Sequence, residues 1–324
     1  DIRQSDDYLV QAIPFQPYAY AGGTELTALY ADDIYSHPLP LPFPVCFYGA
    51  RDNSLMVGSN GIVTFDGTNA GKRNSFRLTT SFFNLTPVPI PYAGGTQNSL
   101  ASTYYPRAAI MGAYHDVFPF DNGSRRIEWR MEGTAPKRRF IASFKDVPLY
   151  SCTGLSATHQ IVVYENTGIV EVYVQDKPVC TAWNGGLAIL GMQNFARNKA
   201  VFPQGKNTGR WGATGMQEAY RFTPAAGAST YKKAELLLEG AVVGLADTVS
   251  DGAGNLHLRF PNVCPTADST AYVLRVSYTS CTDPTTTVSF HDTVVVKKED
   301  LHLNLQAQDP TCTTGGSITV QASG

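Results

Sequence analysis

The sequence predicts an all-β protein, and three features of its composition lead to that expectation. Of its 324 residues, 43% are hydrophobic and 11% are aromatic, which is too apolar for a disordered chain. Gly (29) and Pro (20) are abundant, and both residue types favour turns. Tyr (17) and Phe (16), together with frequent Thr and Val, favour strands over helices.

The charge balance and the absence of long apolar runs exclude two classes of partner. The chain has 25 basic and 27 acidic residues, a net charge of −2, so we expect no nucleic-acid partner. No apolar run reaches the roughly 18 residues of a membrane-spanning helix, so we expect no membrane insertion. Asp1 opens a polar stretch without the pattern of a signal peptide, so an exported protein would be in its mature form here.

The first predicted domain covers residues 1–225 and opens with strands and turns. Prolines in LPLPFPVCFYG (39–49) favour an edge strand, because proline cannot donate to a sheet ladder. Residues 54–66 predict a hairpin that turns at Ser59-Asn60-Gly61. The Pro-rich and Gly-rich stretch 67–106 predicts a long surface excursion. The apolar run 108–117 then predicts a strand that is buried on both faces.

Clear alternation of apolar and polar residues marks the second half of this domain. Four strands are predicted in succession, in RRIEWRMEG, RRFIASFKDV, THQIVVYENTG and IVEVYVQDKP, and two more follow at 187–195 and 218–224. Val170, Val172 and Val174 should face one side of their strand. Glu171 and Tyr173 should face the other side.

A small-residue linker, AAGAST (225–230), precedes the second predicted domain at 226–300. Five short strands at about ten-residue spacing predict an immunoglobulin-like β-sandwich there. Residues 301–324 predict two further strands around a turn that contains Cys312. This segment is too short to bury a core alone, so we interpret it as the start of a third β repeat.

The six cysteines predict disulfide bonds and hence an oxidising compartment. None forms a C-x-x-C motif, and no Cys–His cluster has zinc-finger spacing. The pairs Cys152–Cys180 and Cys264–Cys281 lie at the ends of neighbouring predicted strands, so we favour these two disulfides over buried free thiols. Cys46 and Cys312 are left without an assigned partner.

The order of these segments resembles that of nidogen-like extracellular domains. The resemblance rests on LPFPVCFYG, SLMVGSNGIVTFD, AIMGAYHDVFP, IEWRMEGTAPKRRFIASFKDVPLYSC, THQIVVYENTGIVEVYV, WNGG and AILGMQN. The same segments look like the N-terminal domain of large surface proteins that Bacteroidota export by type IX secretion. DPTCTTGGSITVQASG resembles the opening of SprB-type adhesin repeats. The resemblance implies a nidogen-like β-sandwich at 1–225 and carries no catalytic residues.

The resemblance also implies a cell-surface setting and a modification. Thr248, Ser269 and Thr293 are the centres of triplets that resemble the O-glycosylation sites of exported Bacteroidota proteins. We therefore expect a secreted, cell-surface protein whose export partner is the type IX machinery.

The sequence offers no catalytic constellation. G-x-S-x-G, H-E-x-x-H and the P-loop motif are all absent. Glu128 and Glu132 share a strand face but would be about 13 Å apart, beyond the roughly 5–9.5 Å of glycosidase pairs. We therefore predict that the protein is not an enzyme, and a glycan hydrolase is the least favoured of three hypotheses.

Two sets of residues could bind a ligand. Asp116, Asp121 and Asn122 supply oxygens around a turn and could hold Ca²⁺, and we expect no cofactor other than this possible Ca²⁺. We favour the alternative that these side chains bond their own backbone in the turn, and we interpret Asp32 and Asp33 in the same way.

Aromatic rings form the second set. Trp183, Trp211 and Tyr114 could stack on sugar rings. We favour the alternative that such rings cap the ends of the sandwich cores.

These observations favour a non-enzymatic adhesin or fibre component that serves attachment or gliding motility. Its partners would be surface glycans or neighbouring protein subunits, and many weak contacts would sum by avidity. The alternative hypothesis is a carbohydrate-binding module of a secreted glycan-processing protein.

Overall fold

The computed structural model describes residues 1–81, 83–120, 123–251, 255–281 and 283–298, and strands at 302–308 and 317–323. The prediction of an all-β protein is confirmed, because these residues contain strands and three short 3-10 helices but no α-helix. The chain divides into two compact units. Unit 1 comprises Asp1–Tyr231 and Thr279–Val288, and unit 2 comprises Lys232–Tyr278 and Ser289–Gly324. No helix within the described ranges is long and apolar enough to cross a membrane.

Sixteen strands lie in the described part of the segment Asp1–Tyr231 of unit 1. They are β1 (Arg3–Gln4), β2 (Asp7–Ile13), β3 (Thr24–Glu25), β4 (Leu39–Phe47), β5 (Ala50–Gly58), β6 (Ile62–Thr64), β7 (Ala109–Tyr114), β8 (Arg126–Glu132), β9 (Arg139–Leu149), β10 (Cys152–Tyr164), β11 (Val170–Asp176), β12 (Leu187–Gln193), β13 (Ala200–Val201), β14 (Gly209–Arg210), β15 (Glu218–Ala225) and β16 (Ala228–Ser229). The 3-10 helices are Thr27–Tyr30, Gly67–Asn69 and Asn184–Gly186.

Two antiparallel seven-stranded sheets form a sandwich in unit 1. One sheet has the order β2-β15-β11-β10-β9-β8-β3, and the other has the order β13-β12-β7-β6-β5-β4, with β14 paired to β12. Their inner faces share one hydrophobic core, which includes Phe140, Phe144 and Ile161 from the first sheet and Val57, Ile110 and Leu190 from the second. Non-polar burial between two such faces is the main source of stability of a sandwich.

The alternation in β11 places its side chains as the sequence predicts. Val170, Val172 and Val174 lie in the main core. On the outer face Glu171 is also buried. Its carboxylate is satisfied there by hydrogen bonds from the hydroxyls of Tyr164 and Tyr173 at 2.6 and 2.7 Å. The outer face is therefore covered by a polar and aromatic layer and is not open to solvent.

The hairpin and the linker have different outcomes. β5 and β6 pair across Ser59-Asn60-Gly61, as predicted, and Gly61 has a φ of 82°, which favours glycine. The predicted linker 225–230 is partly a strand, since Ala228 and Ser229 of β16 pair with Gln4 and Arg3 of β1. Small residues alone could not distinguish a linker from a short edge strand.

Unit 2 is built from the remaining strands. They are β17 (Tyr231–Leu238), β18 (Ala241–Leu245), β19 (Asp247–Ser250), β20 (Leu256–Arg259), β21 (Ser269–Thr279), β22 (Thr287–Lys297), β23 (His302–Gln308) and β24 (Ser317–Ser323). The sheets have the orders β18-β17-β21-β22, β19-β20 and β23-β24. Tyr231 at the start of β17, Thr279 at the end of β21, and Thr287 and Val288 at the start of β22 belong to unit 1.

The disulfides agree with the sequence at one pair and correct it at the other. Cys152 and Cys180 are bonded, with their Cα atoms 5.9 Å apart. The predicted Cys264–Cys281 bond is wrong, because Cys281 bonds to Cys46 and Cys264 is an exposed free thiol. The segment at 279–288 belongs to unit 1, where Ser280 Oγ donates a hydrogen bond to Asn166 Oδ1 at 2.8 Å. Cys312 lies outside the described residues.

Candidate functional site

Three carboxylates from distant parts of the sequence meet at one end of the second sheet of unit 1. Asp32 and Asp33 follow the 3-10 helix Thr27–Tyr30, and Asp116 comes shortly after β7. One carboxylate oxygen from each residue lies within 4.8 Å of the corresponding oxygens of the other two. Asp33 and Asp116 are buried, and Asp32 is half-buried. We call these three residues the acid cluster.

The turn of the β5–β6 hairpin holds the acid cluster in place. Asn60 is fully buried there, and its Nδ2 donates to Oδ1 of Asp33 at 2.8 Å. Oδ1 of Asn60 accepts from the backbone N–H of Val117 at 3.1 Å, one residue beyond Asp116. The backbone N–H of Asn60 donates to Oδ1 of Asn74 at 2.9 Å. One side chain thus fixes both acidic segments relative to the hairpin.

A guanidinium group compensates part of the negative charge. Arg73 forms a hydrogen-bonded ion pair with Oδ2 of Asp33 and lies over the ring of Phe76 at 5.1 Å. The arginine side chain is partly exposed, while the aspartate side chain is buried. Arg73 therefore closes the solvent side of the cluster at Asp33.

Trp183 contacts the cluster from the other side. Its indole Nε1 donates a hydrogen bond to Oδ2 of Asp116 at 2.5 Å. The ring lies 4.7 Å from the ring of Tyr150 and 5.9 Å from that of Phe76, measured between centroids. Trp183 also packs beside the Cys152–Cys180 bridge, so the disulfide helps to fix the tryptophan.

Burial disfavours the ionised forms of all three acids. It raises the pKa of Asp33 to about 6, against the lowering effects of the Asn60 and Arg73 hydrogen bonds. Burial, followed by the charges of Asp33 and Asp32, raises the pKa of Asp116 well above its usual range. Burial also raises the pKa of Asp32. The cluster is an environment in which an additional positive charge would be strongly favourable.

The possible calcium ligands in the sequence were Asp116, Asp121 and Asn122, and the structure places Asp116 beside two other aspartates. Asp121 and Asn122 lie outside the described residues. The partners of Asp116 that the structure describes are Asp32 and Asp33, which the sequence interpretation assigned to turn formation. Their separation along the chain hides this constellation, and only the pairing of β5, β6 and β7 brings the segments together.

Of the three aromatic residues that could stack on sugars, only Trp183 is partly exposed. It lines a surface pocket of about 250 Å³ together with Thr79, Leu85, Thr181, Ala182, Asn184 and Gly185. Leu85 is exposed at the pocket's edge. A partly exposed ring beside amide and hydroxyl groups can bind a flat, polar ligand.

The other two aromatic residues are buried, so they are not available to stack on sugars, and this agrees with the favoured alternative that such rings cap the cores. Tyr114 has no exposed surface, and its hydroxyl donates to the carbonyl of Ser75. Trp211 is buried, and its Nε1 donates to the carbonyl of Ala188 at 3.0 Å. Tyr114 ends β7, in which every residue is buried, as the apolar run 108–117 predicts. Trp211 follows β14, which pairs with β12.

The two carboxylates of β8 have partners of their own, and the predicted glycosylation sites belong to unit 2. Glu132 accepts hydrogen bonds from Arg130 and Arg139, and Glu128 is buried and accepts from the backbone N–H of Gly23. The three hydroxyl residues of the triplets are surface residues to different degrees: Ser269 and Thr293 are exposed, and Thr248 is half-buried. Their glycosylation stays a prediction.

Comparison with known proteins gives one result for this chain. A family model described as "NIDO related" matches residues 8–232, which is more than half of the sequence. The match spans almost all of unit 1, including the acid cluster and Trp183. No curated protein and no solved structure matches the chain.

Proposed function

The chain belongs to the NIDO-related family, and from this premise we propose that it is a non-enzymatic, extracellular adhesion module. Nidogen-related domains and disulfides are both typical of extracellular proteins. Domains made of antiparallel β-sheets are compatible with a role in which the protein binds a partner.

The covalent closure of unit 1 is the observation that carries the proposal. The Cys46–Cys281 bond joins residues separated by 235 positions in the sequence. A chain under tension is then loaded through this bond, and the residues between the two cysteines are bypassed. At about 3.3–3.6 Å per extended residue, roughly 800 Å of chain is protected from extension. An attachment protein under shear benefits from that protection.

The pocket at Trp183 is the contact site that we propose. Its ring is held by Asp116 and Tyr150, so it presents a fixed apolar surface at low entropic cost. Asn184 and Thr181 line the same pocket and could bond to a polar ligand. The proposed partners are surface glycans or neighbouring protein subunits.

The pocket also favours a second candidate function. A rigid tryptophan beside hydroxyl and amide groups suits a carbohydrate-binding module of a secreted glycan-processing protein. In that case the affinity would reside in one saccharide site. An adhesin would instead depend on many weak contacts.

The resemblance in the sequence supports a more specific setting. We propose a large surface protein of Bacteroidota, exported by type IX secretion and used for attachment or gliding motility. The SprB-like segment at the end of the chain supports further repeats, and the net charge of −2 supports partners other than nucleic acid. Tandem Cys-bearing repeats and a type IX sorting domain after residue 324 would agree with this proposal.

The experiment compares retention of beads coated with the chain on glycan surfaces and on surfaces coated with the same chain, under increasing flow. Trp183→Ala and Leu85→Ala should reduce retention, and Phe195→Ala, an exposed aromatic outside the pocket, should not. Leu85→Ala leaves the Trp183–Asp116 hydrogen bond in place, so it separates loss of contact from loss of folding. Retention unchanged by both pocket variants would contradict the contact site.

Two further measurements separate the candidate functions. A glycan array that gives one saccharide class with a defined dissociation constant would favour the carbohydrate-binding module. Turnover of a polysaccharide by the chain would contradict both candidates. Force spectroscopy should show roughly 800 Å of additional extension only after reduction of the disulfides, and the same extension before reduction would contradict the load-bearing role.

A further inference from the structure

The acid cluster has a property that turn formation does not explain. Oδ1 of Asp116 is buried and accepts no hydrogen bond from the described residues. Asp116 is only 6% exposed, so bulk water has little access to this oxygen. Oδ1 of Asp32 is also buried without a hydrogen-bond partner there. A buried carboxylate oxygen without a partner is destabilising, because water that would solvate it is excluded.

The charges in the cluster are unbalanced. Asp32, Asp33 and Asp116 supply three carboxylates, and Arg73 supplies the one ion pair that the structure describes to them. That ion pair is made with Asp33. Asp116 accepts a hydrogen bond from the Trp183 indole, but the indole is neutral and does not balance the negative charge of Asp116. A divalent cation would balance the remaining two charges.

We propose that Asp32, Asp33 and Asp116 bind a divalent cation, and that this cation is Ca²⁺. The three acidic groups are oxygen ligands, which hard cations prefer. Ligands at about 2.3–2.6 Å on opposite sides of one Ca²⁺ are about 4.6–5.2 Å apart. The three oxygens of the cluster lie within 4.8 Å of one another, so they fit a single calcium coordination sphere.

The cation would join parts of unit 1 that are remote in sequence. Asp33 accepts a hydrogen bond from the hairpin residue Asn60, and Asp116 accepts one from Trp183 in the loop that follows Cys180. Bound Ca²⁺ therefore fixes the turn after the first 3-10 helix, the end of β7 and the Trp183 loop together. This inference does not depend on the proposed function, because its readouts are cation binding and stability.

Shared protons are the competing explanation. Burial raises the pKa of both Asp33 and Asp116, so a protonated carboxyl group could relieve the repulsion without a metal. The two explanations differ in their response to added cation. Stability that depends on Ca²⁺ concentration requires a binding site in the folded state, whereas a shared proton responds only to pH.

The direct test is terbium luminescence of the full 324-residue chain after treatment with chelator. Tb³⁺ replaces Ca²⁺ at oxygen sites. Trp183 is hydrogen-bonded to Asp116, so its indole is close enough to transfer excitation to a Tb³⁺ ion bound by Asp116. We expect sensitised emission that Ca²⁺ competes away and that Trp183→Phe largely removes. Mg²⁺ should compete at least tenfold more weakly than Ca²⁺, because its shorter bonds need a tighter cluster.

Two substitutions and a control assign the site to its residues. Asp116→Asn keeps an oxygen acceptor for the Trp183 indole but removes a charged ligand, and it should weaken Ca²⁺ binding at least tenfold. Asp32→Asn, at a half-buried position, should do the same. Asp7→Asn, an exposed aspartate on β2, should leave Ca²⁺ binding unchanged.

Thermal unfolding gives an independent readout on the same proteins. The melting temperature of the wild type should rise with the logarithm of Ca²⁺ concentration, and that of Asp116→Asn should not. Absence of Tb³⁺ emission together with a melting temperature unaffected by about 10 mM Ca²⁺, above the dissociation constants of weak extracellular sites, would overturn the proposal. A Ca²⁺ response retained in both Asp116→Asn and Asp32→Asn would also overturn it.

Discussion

Trp183 Nε1 donates a hydrogen bond to Oδ2 of Asp116 at 2.5 Å, and this bond connects the acid cluster to the pocket at Trp183. Asp116 belongs to the acid cluster, and Trp183 lines the pocket that we propose as the contact site. The bond crosses from the end of β7 to the loop after Cys180. A change at one feature is therefore transmitted to the other through a single side-chain pair.

Trp183→Phe should lower the free energy of unfolding by about 1–3 kcal/mol, because Oδ2 of the buried Asp116 then loses its donor. Urea unfolding followed by circular dichroism measures the change. Trp129→Phe is the matched control, since that indole stacks on Phe140 at 5.8 Å and lies away from the cluster. An equal loss in both variants would attribute the effect to ring size rather than to the hydrogen bond.

Asn60→Ala should lower the free energy of unfolding by about 3 kcal/mol. The substitution leaves the buried N–H of Val117 without its acceptor and Asp33 without one of its donors. Chemical denaturation is the measurement, and Asn53→Ala at an exposed position should change stability by less than about 0.5 kcal/mol. A loss below about 1 kcal/mol at Asn60 would contradict its role as the link between the acidic segments.

Acid should destabilise the protein through His159. Burial lowers the pKa of this imidazole from 6.5 to about 3, so between these values the unfolded chain binds a proton that the folded chain excludes. Stability is then lost as pH falls below 6.5, with a slope of up to about 1.4 kcal/mol per pH unit. Burial also lowers the pKa of His115 well below its usual range, which adds to the loss.

The comparison of His159→Gln with wild type isolates this contribution. Asp33 has a raised pKa and acts in the opposite direction between 3.8 and about 6, but it is present in both proteins. The variant should have the shallower dependence of unfolding free energy on pH between about 6.5 and 4.5, and the exposed His37→Gln should match wild type. Parallel curves for His159→Gln and wild type would contradict the assignment.

The two disulfides should differ in their contribution to stability. In the chain-entropy description, closure over a separation of 235 residues contributes roughly 5.5 kcal/mol and closure over 28 residues roughly 3.5 kcal/mol. The double variant Cys46→Ser/Cys281→Ser should therefore be less stable than Cys152→Ser/Cys180→Ser in urea unfolding. The reverse order would show that local strain or residual structure outweighs loop length.

The cysteine assignment has its own test by mass spectrometry. Alkylation of the folded, non-reduced protein should modify Cys264, which is an exposed free thiol, and leave Cys46, Cys152, Cys180 and Cys281 protected. Proteolysis should then release one peptide pair that joins Cys46 to Cys281. A peptide pair that joins Cys264 to Cys281 would restore the pairing expected from the sequence.

Local sequence patterns predicted the strands. Features that depend on contacts between distant parts of the chain could not be predicted. The period of two in β11 and the Asn60-Gly61 turn depend on neighbours in the chain, so both were predictable. The Cys46–Cys281 bond and the meeting of Asp33 with Asp116 depend on which strands pair, and residue spacing carries no information on that. Asn60 was predicted for its turn geometry, yet its buried amide also fixes the acidic segments.

Arg3 of β1 lies opposite Ser229 of β16, so the two ends of this first segment of unit 1 are paired with each other. The polypeptide returns to unit 1 at Thr279–Val288, where Cys281 is bonded to Cys46. A backbone cut anywhere within Lys232–Tyr278 would therefore leave two fragments that remain covalently joined.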